Sequence, residues 1–165
     1  MVSTLIATAL LCLISYGFLR VIPYFARARL LTAFLPQDIR DAARDQPDPP
    51  PGKRMIGYGL TFLMAAVYVG MILYVGADGL RSGAGFWQLF GRYMLFLYGY
   101  KVFDILVQDQ YLVITRQYFV SFYPETEDCR SWHDRSFNTK KQLIRLALFP
   151  FAAAVLAAAA CWLGR

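Results

Sequence analysis

Apolar residues run almost unbroken along four stretches of this chain, and polar residues gather in the gaps between them. The runs cover about Val2 to Phe25, Met55 to Gly76, Phe86 to Thr115 and Leu143 to Leu163, leaving two long connections at about 26–54 and 116–142. Each run meets the roughly 20 residues that a helix needs to cross a bilayer. The pattern predicts an all-α fold, a polytopic membrane bundle of about four transmembrane helices forming one integral membrane domain over 1–165. As a helix the third run would be about 45 Å long against a hydrocarbon core of roughly 30 Å, so it is expected to tilt or project. The first run lacks the basic residues that open a secretory signal peptide and should persist as a span.

The connections carry shorter signals. The stretch PQDIRDAARD, Pro36 to Asp45, opens with proline, has Asp38 near its start and Arg44 near its end, and so predicts a short cytoplasmic surface helix. After it, QPDPPPGKR is expected to form an extended polyproline-like strap into the second span. Tyr118 to Tyr123 has no helical stripe and predicts a strand or an interfacial stretch. Pro150 should kink the fourth span.

Composition agrees with the bilayer as solvent: 58% of residues are hydrophobic, against about 45–50% in soluble domains. The net charge of +6 does not point to nucleic acid, because the basic residues sit at the ends of the apolar runs. Arg20 sits in the last turns of the first run and Arg27, Arg29, Arg40, Arg44, Lys53 and Arg54 follow it, while Arg116, Arg130, Arg135, Lys140 and Lys141 follow the third; the second connection has only Arg81. The positive-inside rule puts both long loops in the cytoplasm and both termini outside. Cys12, Cys129 and Cys161 have neither the pairing nor the spacing of a disulfide framework or metal site.

Candidate chemistry concentrates at the cytoplasmic mouth. Lys101, Asp104, Gln108, Tyr111 and Thr115 recur every three or four residues, which on an α-helix is one face. A polar face on a membrane helix belongs inside the bundle; otherwise it marks a helix end at the interface with Lys101 snorkelling. Lys101, Asp104, Gln108, Tyr111 and Arg116 are therefore the candidate ligand-binding set. On an α-helix Asp109 lies about 140° from Asp104, so the two are not expected to converge. Asp104, Asp109 and His133 are the candidate acid–base groups. Glu125, Glu127, Asp128, His133 and Asp134 could supply a divalent cation with ligands or act as solvated loop charges, and their spacing matches no known site. Cys129 would need a base beside it to act as a nucleophile. Small residues, Ala66 with Gly70 and the alanine-rich fourth run, offer close packing within the chain or in a homo-oligomer.

The stretch FDILVQDQYLVITRQYFVSFYPETEDCRSWHDRSF resembles a segment of small uncharacterised bacterial four-helix membrane proteins, with aspartates closing a helix before a Pro-x-Thr-Glu-like turn. The resemblance covers about a fifth of the chain and implies a bacterial cytoplasmic membrane and weight on Asp104, Asp109, Glu127 and Asp134, but no activity. No nucleophile elbow, phosphate-binding glycine loop or dinucleotide fingerprint is present. The expectation is a non-enzymatic membrane protein that binds a ligand, lipid headgroup or partner membrane protein. The alternative is a membrane-embedded enzyme on an amphiphilic substrate, and a transporter component is the third class.

Overall fold

A computed structural model of the protein describes residues 1–26, 31–32, 35–134, 136 and 138–164. Arg27, Arg29 and Arg135 of the basic loops lie outside the described residues. Five α-helices are described: α1 (Val2–Val21), α2 (Gln37–Ala42), α3 (Pro51–Arg81), α4 (Phe86–Phe103) and α5 (Thr139–Leu163). A π-helix, Asp104–Thr115, continues α4 without a break. Short 3₁₀ turns occupy Ile22–Tyr24, Tyr118–Ser121, Pro124–Thr126 and Arg130–His133. The chain is all-helical, and three helices are long and apolar enough to cross a membrane: Val2–Tyr24, Pro51–Arg81 and Thr139–Leu163.

The run Phe86–Thr115 is not among those three, and its place in the fold explains why. α4 packs against α1, α3 and α5 at once and forms the bundle's axis. Leu89, Tyr93, Phe96 and Leu97 of α4 are buried with Ala7, Leu11, Val75, Ala153 and Ala157 from its neighbours. The helix that is wrapped by the others can carry charge, whereas the outer three present apolar surface: Phe62 is 78% exposed and Phe151 71%. Arg92 on α4 is buried and pairs with Asp78 of α3 at 2.5 Å; Ser3 donates to the same carboxylate oxygen, and Arg92 donates to Ser82 at 3.0 Å.

Local chemistry sets the helix ends. Pro51 starts α3 as a first-turn proline whose missing N–H costs nothing there. The extended strap is therefore shorter than expected, since Gly52, Lys53 and Arg54 already belong to the helix. Gly83, at φ 70, closes α3 in the left-handed region, with Gly83 N–H bonded to the Leu80 carbonyl at 2.9 Å and Ala84 N–H to Gly79 at 3.0 Å. This pair of bonds satisfies carbonyls that the helix end would otherwise orphan.

Pro150 lies inside α5, where it cannot donate to the carbonyl four residues back, that of Leu146. The Tyr98 hydroxyl of α4 donates to that carbonyl at 2.7 Å, and its ring meets Phe149 edge-on. Ala153 and Ala157 are fully buried inside the chain. The alanine face thus serves internal packing, while Ala66 and Gly70 are exposed.

The loops form a second, smaller core. Ile39 and Ala43 from α2 and its edge pack with Val113, Ile114, Phe119, Tyr123 and Trp132. Tyr118–Ser121 is a 3₁₀ turn and not a strand, because Phe119, Tyr123 and Trp132 point into this core while Tyr118 donates to the Arg20 carbonyl at 2.6 Å. Trp132 Nε1 donates to the Thr126 carbonyl at 2.8 Å.

Asp38 ties α2 to the second loop by accepting N–H bonds from Ile39 at 2.9 Å and Ser131 at 3.1 Å. Burial by itself raises this carboxyl's pKa, but the Ser131 and Ile39 donors outweigh it and hold the pKa below the usual aspartate value. The depressed pKa means that the contribution is complete above the ordinary aspartate value of about 4 and is lost as pH falls through the lower folded value. Limited proteolysis with an acid-active protease should therefore cut the 116–138 loop faster as pH drops below that range. Asp38→Asn should cut faster at neutral pH and lose most of this dependence; wild-type-like behaviour of the variant would exclude the tie.

Candidate functional site

At the end of the bundle that carries the two long loops, a cavity of about 440 Å³ opens between α1, the π-helix and α5. Phe18 and Leu19 of α1 with Ile22 of the following 3₁₀ turn form one apolar wall, and Val113 and Phe119 form another. Asp104, Gln108 and Asp109 enter it from the π-helix, and Asn138, Lys141 and Arg145 from the start of α5 and the residue before it. α1 and α5 each pack on α4, yet they scarcely meet one another, so the walls part sideways at this point.

The π-helix decides which residues reach the cavity. Its backbone bonds run from residue i to i+5, as in Arg116 N–H to the Tyr111 carbonyl at 2.8 Å. Positions four and five apart therefore share a side, and Asp104, Gln108, Asp109 and Val113 have that spacing. The α-helical stripe expected from the sequence loses its phase here. Asp109, expected to diverge from Asp104, lines the same cavity. Tyr111 and Arg116 are not part of it: both are exposed, and Arg116 Nε donates to the Tyr111 hydroxyl at 3.1 Å with its guanidinium 5.3 Å from the ring. Two residues past the end of the π-helix, Gln117 has a φ of 46, a left-handed conformation that a non-glycine residue adopts at some cost. Single π turns are common at functional sites, and a stretch of 12 residues is unusual.

The polar side chains in the cavity and behind it are not equivalent. Lys101 is 4% exposed and does not snorkel; it pairs with Asp104 at 2.5 Å and neutralises it. Gln108 donates to Ser15 of α1. Among the described residues Asp109 has no cation in ion-pair contact and is held by two neutral amides, Asn138 Nδ2 at 3.1 Å and Gln142 Nε2 at 2.5 Å. Gln142 is itself buried, and its Oε1 has no hydrogen-bond partner among the described residues. A side pocket of about 150 Å³ is lined by Asp109, Asn138 and Gln142, so it shares its polar wall with the main cavity. Lys141 and Arg145 are exposed, with no acidic partner among the described residues.

Sequence reasoning missed the α5 side of this site. Asn138, Lys141, Gln142 and Arg145 recur at three- and four-residue intervals, the same signal that singled out the third run. Charges at the mouth of a span read as topology determinants, which concealed it.

The loop acids do not join the site. Among the described residues no three of histidine, cysteine, aspartate and glutamate converge into a metal-binding group. Glu125 accepts from Gln46 at 3.0 Å, and Asp134 accepts from Ser136 at 2.7 Å. His133, Glu127 and Asp128 are exposed on the loop surface. Cys129 has its thiol pKa raised by burial and then by Asp38 and Asp128, and no hydrogen bond links it to His133. Such a thiol stays protonated at neutral pH and is a poor nucleophile. No protein-family model, curated protein or solved structure matches this chain.

Proposed function

We propose that this protein is a four-span protein of the bacterial cytoplasmic membrane, with both termini outside, that binds the headgroup of an amphiphilic ligand in the loop-end cavity. One observation carries the binding reading: carboxylates, cations and an apolar wall meet in a single space of about 440 Å³, a volume within the roughly 300–1,000 Å³ range of small-ligand sites. An amphiphile satisfies both halves of such a space. The fourth span is supported by α4's position inside three apolar helices, since an axis helix surrounded by spans shares their depth.

A ligand of this kind should copurify in mild detergent and be detectable by mass spectrometry. Asp109→Asn keeps the shape of the side chain and removes its charge, so it should lower the copurified amount several-fold without changing expression. Equal loading of variant and wild type would reject the site.

The topology has its own test. In a background without native cysteines, Lys53→Cys and Lys140→Cys should be labelled by a membrane-impermeant maleimide only after the membrane is opened; labelling of intact cells reverses the orientation.

The convergence of Asp104 and Asp109 on one cavity favours a second reading, a membrane-embedded enzyme whose acid–base groups act on the bound amphiphile. Chemical change of the copurified molecule during incubation with purified protein selects that reading. Recovery of the same molecule unchanged selects binding.

A further inference from the structure

We infer that the amphiphile is a zwitterionic phospholipid with a primary ammonium, held with its ammonium in the side pocket beside Asp109 and its phosphate between Lys141 and Arg145. This identification rests on the amphiphile-binding reading and narrows it to one headgroup chemistry.

The argument starts from two groups whose bonding is incomplete. Asp109 is a half-buried carboxylate supported, among the described residues, only by amides, while the neighbouring Asp104 already has its lysine. Such a carboxylate favours a cation, and a charge-assisted N–H bond is the strongest contact available to it. Gln142 Oε1 is a buried acceptor with no donor among the described residues, on the wall of the same small pocket. A buried acceptor left unmade costs free energy that a donor would recover. A primary ammonium has three N–H donors and can serve both oxygens at once. A quaternary ammonium has the charge but no N–H, and so leaves Oε1 unsatisfied.

The second half of the headgroup follows from α5. Gln142 and Asn138 face Asp109, and one row around the same helix Lys141 and Arg145 border the main cavity without acidic partners. Lys141 and Arg145 are four residues apart and therefore neighbours on the helix surface, a spacing at which both can reach one phosphate. An exposed cation pair beside a half-buried carboxylate held only by neutral amides among the described residues is the charge order of an ammonium–phosphate headgroup. A purely anionic headgroup would match the pair and leave Asp109 opposed. The apolar wall of Phe18, Leu19 and Ile22 gives the glycerol and the first acyl carbons a surface, and the parted walls of α1 and α5 let the chains lie in the bilayer.

Native mass spectrometry of the purified protein, titrated with short-chain phosphatidylethanolamine, phosphatidylcholine and phosphatidylglycerol and separately with O-phosphoethanolamine, tests this. Phosphatidylethanolamine should bind on the order of tenfold tighter than either other lipid, the scale of one charge-assisted contact. Asp109→Asn should abolish the preference over phosphatidylglycerol. Arg145→Gln and Lys141→Gln alter exposed, unpaired side chains that the fold does not need, and each should weaken phosphatidylethanolamine several-fold. Equal or tighter binding of phosphatidylglycerol or phosphatidylcholine overturns the headgroup assignment while leaving amphiphile binding intact. Saturable binding of O-phosphoethanolamine as tight as the lipid overturns the lipid as the source. Absence of saturable binding by every lipid overturns the amphiphile reading itself.

Discussion

Trp132→Ala should destabilise the loop end by roughly 3–5 kcal/mol, the usual cost of removing a fully buried large aromatic side chain. Trp132 is 1% exposed and is the centre on which α2, the end of the π-helix and the 3₁₀ turns converge. Its indole N–H is also spent inside the loop, on the Thr126 carbonyl that the Cys129 N–H shares at 3.0 Å, so truncation leaves a void and removes one of that carbonyl's two donors. The consequence reaches the proposed ligand site because Val113 and Phe119 belong to this core and also line the cavity. Two readouts check it: protease cleavage within 116–138 should accelerate, and ligand loading should fall. The membrane core should survive, since none of its buried residues touches this cluster. Unchanged cleavage would mean that the loops hold their shape without Trp132.

Tyr98→Phe should cost about 1–3 kcal/mol, the penalty for leaving a buried acceptor unsatisfied. The loss of one hydroxyl rarely matters so much, but here the acceptor is the Leu146 carbonyl that Pro150 has deprived of its helical donor. In a lipid environment no water replaces it. Pro150→Ala restores a backbone N–H to that carbonyl, so in this background Tyr98→Phe should be close to neutral. The expected non-additivity of the two changes is about 0.5–3 kcal/mol, read from unfolding in mixed micelles. Additive losses would show that Tyr98 acts only through its ring contact with Phe149.

The three outer helices were legible because continuous apolar composition is a property of each segment alone. The role of α4 was not, for Arg92 lowers its apolar character and its justification, Asp78, belongs to another helix. Of the residues expected to face inward, Lys101 and Gln108 are buried, and Asp104 and Gln108 line the cavity. Tyr111 and Arg116 failed for a definite reason: nothing in the residues distinguishes an i→i+5 from an i→i+4 backbone, and the difference accumulates with each residue. By Asp109 it has already turned a carboxylate from one side to another. Pro124 marked a turn correctly, yet the aromatic residues around it read as interfacial because their partners, Ile39 and Ala43, lie far away in the chain.

The buried arginine of α4 also bears on how such a chain is made. A helix carrying Arg92 and Lys101 is a poor candidate to leave the translocation machinery by itself, since a central charge costs about 2.5–3.5 kcal/mol on insertion scales. Only the short Ser82–Gly85 connection separates it from α3, and Asp78 is already present near the end of that helix. On the four-span reading α3 and α4 enter the bilayer as one hairpin, and the guanidinium meets its carboxylate during synthesis. The last helix then arrives with an open carbonyl at Leu146, which Tyr98 closes. For these two groups, the Arg92 guanidinium and the Leu146 carbonyl, the order of helices along the chain is in this way also a schedule of neutralisation, each being matched by a group made before it.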